Sequence, residues 1–451
     1  MTEHAPSAQR PPSLAGSSGV LLGARIGINL GYFGAAVILA HLLHPVERGA
    51  VAFITVTALV VSTASRVGFD DTTSVFVASR VEQRPRLLAN ALCVGAITST
   101  FVGGAAALVL LALPQVRPER VDRTDLLLLA LGGMSSSVGV CGGGYLIGCR
   151  RFLGWSLANV TTSWGYTALL VALAVAGKVD VTRAAIAWTL SQALGAVVAV
   201  IAAVRVAGIR RPSRALLRTT LPFAFRAWVG SFSSFLNARL DQTIMGIIST
   251  ERSLGIYAVA VNAGEIALYL PGAVATALLP VIASSPPERR LAQTTRVARA
   301  LLLLTFATVV AAAVGGFILI PLVFGSSYTD SVVPFLWLLP GAVGYAGLRV
   351  FSSALLAAGS PARSSLGSAA ALVTGVVLDF ALIPVYGADG AAIAATVAFM
   401  AGGVFAVVVH RKTTNCPWRE LLPRRADLQL IAGLARRIAS RQAVSSKLAG
   451  W

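Results

Sequence analysis

Ten ionisable residues sit inside otherwise apolar stretches of this chain: Arg25, Arg66, Arg226, Arg239 and Arg349 among the bases, Asp70, Asp71, Asp241, Glu265 and Asp379 among the acids. At the centre of a membrane helix each such charge costs about 3 kcal/mol even on the lenient insertion scale, so each is a candidate for function. Two chemistries follow from the residue types. Guanidinium groups in a low-dielectric cleft suit a pyrophosphate, which they hold through paired N–H donors. Carboxylates in the same setting suit a coupling proton or Na⁺.

Helical phase sorts these residues into faces. Arg226, Gly230, Ser233, Asn237 and Asp241 fall within about 80° of one another at ~3.6 residues per turn, a polar stripe on an apolar helix. Similar arcs hold Thr55, Ser62, Arg66, Asp70 and Thr73; Asn262, Glu265, Tyr269 and Thr276; Gly341, Tyr345, Arg349 and Ser352; and Arg25, Asn29 and Tyr32. Lipid rejects polar faces, so these five are expected to surround a hydrated cavity. The expected substrate-binding residues are Arg25, Asn29, Arg66, Arg226, Asn237 and Arg349; the expected ion-coupling residues are Asp70, Asp241 and Glu265.

Plainer readings stand beside these. Arg66 and Asp70, four residues apart, can simply neutralise each other, and Arg25 and Arg226 can snorkel to headgroups from nearby helix ends. Arg239 is out of phase with the Asp241 stripe and reads as structural, while Asp71 and Asp379 lie off the stripes and read as packing polar groups. His41, His44 and the helix-end Tyr and Trp residues read as interfacial anchors.

The elements that must carry these faces are apolar helices. Of 451 residues, 56% are hydrophobic and 12% charged, with a mean hydropathy of +0.77, against about 25% charged in soluble proteins. Apolar runs of 20 residues or more recur, each long enough at ~1.5 Å per residue to cross a ~30 Å hydrocarbon core. Breaks at charged, Gly and Pro clusters place helices near 17–43, 49–79, 87–113, 126–148, 154–177 and 183–206, then near 219–248, 255–283, 296–324, 332–358, 364–384 and 389–410. The predicted fold is an all-α integral membrane protein of about twelve spans.

Charge sets the orientation. With both termini on the cytoplasmic side, 25 of the 37 Lys and Arg residues fall in cytoplasmic segments, 7 in outer loops and 5 inside helices, as the positive-inside rule requires. The net charge of +19 is spread over short loops rather than gathered on one domain, which argues against nucleic acid as a partner. Four cysteines, Cys93, Cys141, Cys149 and Cys416, form no C-x-x-C pair, so no disulfide and no metal site are expected. The N-terminus has no signal-peptide pattern and reads as a disordered tail over 1–16.

The chain repeats. Residues 184–200 and 391–407 share nine identities in 17 positions, including Ala-Ala-Ile-Ala-x-Thr at 184–189 and 391–396, and LLHPVERGAVAF after the first helix resembles IISTERSLGIYAV after the seventh. Two six-helix lobes in parallel repeat, 17–206 and 219–410, joined by a basic linker at 207–218, are the expected architecture. A basic tail follows at 411–451, where Leu428, Ile431, Leu434, Ala435 and Ile438 share a helical face. It reads either as an amphipathic helix on anionic lipid or as a loosely ordered tail.

Six segments, read in order, carry a family resemblance: LAHLLHPVERGAVAF (39–53), LDQTIMGIISTERSLGIYAVAV (240–261), LLPVIAS (278–284), FGSSY (324–328), LLAAGSPARSS (355–365) and IPVYGADGAAIAAT (383–396). Over about 20–410 the chain resembles the polysaccharide transporter, or oligosaccharide flippase, branch of the superfamily that also holds multidrug and toxin extruders and peptidoglycan lipid flippases. The resemblance implies alternating access and transport of an undecaprenyl-pyrophosphate-linked sugar or related precursor across the cytoplasmic membrane. It implies no cofactor beyond a coupling H⁺ or Na⁺. The implied partners are the lipid-linked glycan, membrane lipids, and glycosyltransferases or a polymerase of a polysaccharide assembly system. Where relatives commonly have Arg after the first helix this chain has His41, so the anionic site is carried over only to Arg25 and Arg226. A small-molecule exporter of the same superfamily is the alternative, disfavoured by the arginines. A membrane glycosyltransferase would need a large outer loop with paired acids or an activated nucleophile, and the longest one, 114–125, is short.

Overall fold

The computed structural model describes residues 14–284, 286–358 and 360–421. Most of the expected N-terminal tail, and the proposed amphipathic face at 428–438, lie outside the described residues. Among the described residues every regular element is a helix. In chain order they are α1 (Leu14–Leu42), α2 (Pro45–Ser65), α3 (Phe69–Ser79), α4 (Arg84–Ala112), α5 (Arg123–Gly148), α6 (Phe152–Val175), α7 (Val181–Ala207), α8 (Arg214–Ile248), α9 (Glu251–Ser284), α10 (Pro287–Phe324), α11 (Val332–Ala357) and α12 (Pro361–Thr414).

Two of these elements depart from the expected one-helix-per-span pattern. The second predicted helix, 49–79, is broken into α2 and α3 by Val67 and Gly68, both at positive φ (47° and 72°). Gly68 is required there twice over, since a β-carbon at this position would lie 2.1 Å from the Ala224 carbonyl oxygen of α8, and an L side chain is strained at that φ. Conversely, α12 runs for 54 residues, about 80 Å at ~1.5 Å per residue, more than twice what one crossing needs. It folds back at Gly387 (φ 55°, ψ −123°), so the predicted helices 364–384 and 389–410 are its two arms. With α2 and α3 as one crossing and α12 as two, the helices of the described residues make twelve rods, and the chain is a multi-pass membrane protein.

Nine helical segments among the described residues are apolar and long enough to cross a membrane. α8 is long enough but too polar to be among them. Its Arg226, Ser233, Asn237 and Asp241 belong to the polar stripe read from the sequence, and Arg239 adds a further charge, so hydropathy fails at a helix that carries dense chemistry.

The rods gather into two compact units. The first holds residues up to Leu42, Thr57–Pro114 and Val121–Ser231; the second holds Leu43–Val56, Gln115–Arg120 and the chain from Phe232 onward. Apolar lipid gives helices no hydrophobic drive to associate, so their seams depend on small residues that let backbones approach and on buried polar links. In the first unit α1 lies on α6, with Thr167 Oγ1 donating to the Gly31 carbonyl (2.7 Å) and Trp164 Nε1 to that of Gly27 (3.0 Å). α3, α4, α5 and α7 close around Val77, Leu87, Leu88, Tyr145, Leu146 and Ala203.

In the second unit α11 packs on α9, α10 and α12, around Ala346, Val350, Phe351, Ala371 and Ala406. The first half of α2 belongs to this unit too. It crosses the start of α9 at Gly49 and Gly255, where a β-carbon on either would lie 1.9 Å from the Glu251 carbonyl oxygen or 1.8 Å from that of Pro45. Beside this crossing Arg120 bonds Glu47 (3.2 Å) through its guanidinium and Glu251 (2.8 Å) through its backbone N–H.

Candidate substrate and ion site

At the α2–α3 break the Arg66 guanidinium meets the Asp70 carboxylate at 2.8 Å and also donates to Thr63 Oγ1 (2.8 Å) and to the Ser62 carbonyl (3.3 Å). The pair therefore bridges the interruption in the helix. Both members are engaged with each other, the plainer of the two readings their spacing allowed. Arg25 on α1 and Arg226 on α8 are exposed and make no ion pair among the described residues. Asn29, one turn beyond Arg25, is half-buried on the same helix.

In the second unit the stripe on α8 meets both arms of α12. Leu236, Asn237, Leu240 and Asp241 of α8 line a cavity of about 30 Å³ together with Ala371, Gly375 and Asp379 of the first arm and Ala395, Ala398 and Phe399 of the second. Such a volume suits a water-sized particle. Asp241 is held by two donors: the Tyr257 hydroxyl of α9, and the backbone N–H of Gln242 at 2.7 Å. Asn237 Nδ2 donates to the Ser368 carbonyl (2.8 Å), which ties α8 to α12 at the edge of the cavity. Asp379 is 4% exposed, and its Oδ1 has no hydrogen-bond partner among the described residues. Two carboxylates thus line one small cavity that offers them no basic side chain. Such an arrangement suits a proton or a small cation, because two carboxylates lining one low-dielectric cavity repel each other.

The other charges of this unit are arranged differently. Glu265 of α9 is paired with Arg239 of α8 at 2.7 Å, and the two point charges cancel locally. Arg349 of α11 is exposed, with its guanidinium 6.0 Å from the Tyr345 ring centroid, and makes no ion pair among the described residues.

Comparison with known proteins fixes the family. The polysaccharide biosynthesis protein family matches residues 38–333, well over half of the chain. The chain belongs to this family. Among solved structures its fold is similar to that of a lipid II flippase, MurJ, in an inward closed conformation (TM-score 0.71, 12% identity, 89% of this chain and 88% of that one). It is similar also to an inward-facing multidrug resistance MATE family transporter of the MOP superfamily (TM-score 0.66, 16% identity, 88% and 98%). A third is a MOP superfamily transporter from Pyrococcus furiosus (TM-score 0.59, 15% identity, 89% and 94%). No curated protein sequence matches the chain. The family and the all-α fold therefore stand as read from the sequence.

Within this family member, the sequence reading of the acids needs one addition. Asp379 lies off the polar stripes and by sequence reads as a packing group, yet it lines the cavity of Asp241. Its signal lies in neighbouring residue size rather than polarity: Ala371, Gly375 and Asp379 recur every four residues along one face of α12. Small residues there open the space into which the carboxylate projects. Tyr257, the hydroxyl donor to Asp241, sits in a run of apolar residues and has no polar neighbours to mark it.

Proposed function

We propose that this protein is a non-enzymatic transporter that flips an undecaprenyl-pyrophosphate-linked oligosaccharide, or a related polysaccharide precursor, from the inner to the outer leaflet of the cytoplasmic membrane. It works by alternating access, with both termini in the cytoplasm. The observation that carries this reading is the exposed, unpaired state of Arg25 and Arg226 among the described residues, in a chain of the polysaccharide biosynthesis family. At about 3 kcal/mol per embedded charge, guanidiniums without a protein anion are retained where a ligand supplies one. The pyrophosphate is that anion, and Asn29, one turn beyond Arg25 on α1, adds a polar contact. Glycosyltransferases or a polymerase of the same assembly system supply and consume the cargo.

The cavity of Asp241 and Asp379 is the coupling site in this account. A proton or Na⁺ entering it neutralises the pair and changes the charge that α8 and α12 present to each other. Coupling at Asp70 and Glu265 is secondary, because each already has a basic partner. A flexible ammonium does not reproduce bidentate recognition. Arg25→Lys or Arg226→Lys is therefore expected to impair flipping nearly as much as Arg→Ala, with lipid-linked intermediate accumulating in the inner leaflet of cells that hold normal amounts of protein. Full transport by both Lys variants would contradict the anionic site.

A further inference from the structure

The first unit carries a basic cleft that the transport reading does not use. Its walls are Arg86, Ile209, Arg210, Arg211, Pro212 and Ser213, and its volume is about 630 Å³, within the range of about 300–1,000 Å³ typical of small-molecule sites. The cleft is built rather than incidental. Asn90, buried one turn beyond Arg86 on the same face of α4, donates from Nδ2 to the Ser213 carbonyl (3.0 Å) and accepts from the Ser213 N–H at Oδ1 (2.8 Å). This reciprocal pair fixes the segment before α8 against α4 and so holds Arg210 and Arg211 across from Arg86.

The local field is strongly positive. None of Arg86, Arg210 and Arg211 makes an ion pair among the described residues. α8 begins at the cleft, with the Ser213 hydroxyl accepting from the Leu216 N–H (3.4 Å), no acid in its first turn, and Arg214 and Arg218 following. The positive end of a helix dipole therefore adds to the guanidiniums instead of offsetting them. Beside these charges Ile209 is 55% exposed, and Arg86 stands at the start of an apolar span. Basic groups and an exposed apolar side chain at the end of membrane helices match a lipid whose phosphate is at the surface and whose chains lie alongside.

We infer that this cleft binds the phosphate head group of an anionic phospholipid, with Arg86, Arg210 and Arg211 as its ligands. The site is independent of Arg25 and Arg226, so it stands or falls separately from the transport reading. Each basic residue near a membrane surface contributes about 1 kcal/mol toward anionic lipid, roughly a fivefold change in binding.

The test is native mass spectrometry of the full chain, purified in detergent and supplied with phosphatidylglycerol, phosphatidylcholine or undecaprenyl pyrophosphate. The wild type should retain phosphatidylglycerol over phosphatidylcholine, and Arg86→Gln/Arg210→Gln/Arg211→Gln should lower that retention by more than about tenfold. A control lacking three other basic residues, Arg150→Gln/Arg151→Gln/Arg363→Gln, should keep it. The Lys triple variant at the three cleft positions, which keeps the charge, should keep most of it, and so separates a lost site from a misfolded protein. Equal retention by the Gln triple variant, or displacement of the phospholipid by undecaprenyl pyrophosphate alone, would overturn the inference.

Discussion

At the residue scale the distinction that matters is between charges that have a protein partner and charges that do not. Arg239 and Glu265 are partnered, at 2.7 Å and each about one-quarter exposed. Removing one member leaves the other uncompensated, at a cost of about 3–5 kcal/mol when such a pair is buried and less where water reaches it. Arg239→Met alone is expected to lower the abundance of membrane-inserted protein, and Arg239→Met/Glu265→Met to restore much of it. Quantitative immunoblots of the two strains check this, and a double variant no better than the single would contradict it. Asp241 and Asp379 are a different case, since they share a cavity without a base. Asp241→Asn or Asp379→Asn should slow gradient-driven transport by about tenfold or more, equivalent to ~1.4 kcal/mol of barrier, at near-normal abundance. Loss of the protein instead of its activity would make these residues structural. The sequence displayed Asp241 because its helix is polar along one face; it hid Asp379 because small neighbours, not polar ones, shape the space around that carboxylate.

At the element scale, periodicity located the helices because an apolar rod of about 20 residues is the only way to cross lipid with every backbone group bonded. It did not locate what happens within a rod. The α2–α3 break depends on Val67 and Gly68, two residues in a run that otherwise keeps helical spacing, and the glycine there is required by the carbonyl of Ala224 more than 150 positions away. The Gly49–Gly255 crossing is equally long-range, and only the side-chain-free surface of both residues permits it. Overpacking a seam of this kind costs about 1–3 kcal/mol. Gly255→Ala is therefore expected to lower the thermal unfolding midpoint of the purified protein, and Gly49→Ala/Gly255→Ala to lower it further, as followed by tryptophan fluorescence. An unchanged midpoint in the double variant would mean that the helices do not meet as closely as described.

At the scale of the whole molecule, the distribution of charge predicts an orientation that the fold alone does not. With 25 basic residues assigned to one side and 7 to the other, reporter fusions at Arg211 and Arg290 should behave as cytoplasmic and one at Val121 as external; the reverse pattern would invert the expected topology. The family and the two-lobed fold were readable because they are written in the order of six motifs along the chain, and order survives where individual residues drift. The cargo is written in far fewer residues, chiefly the unpaired arginines, and these meet a ligand rather than another part of the chain. The most direct measurement is accordingly a flipping assay in proteoliposomes loaded with an undecaprenyl-pyrophosphate-linked oligosaccharide, comparing the wild type with Arg25→Ala/Arg226→Ala at equal protein density. Transfer of the lipid-linked sugar between leaflets is expected for the wild type, and its loss for the double variant. Equal transfer by both proteins, or none by a correctly inserted wild type supplied with a proton or Na⁺ gradient, would contradict that expectation.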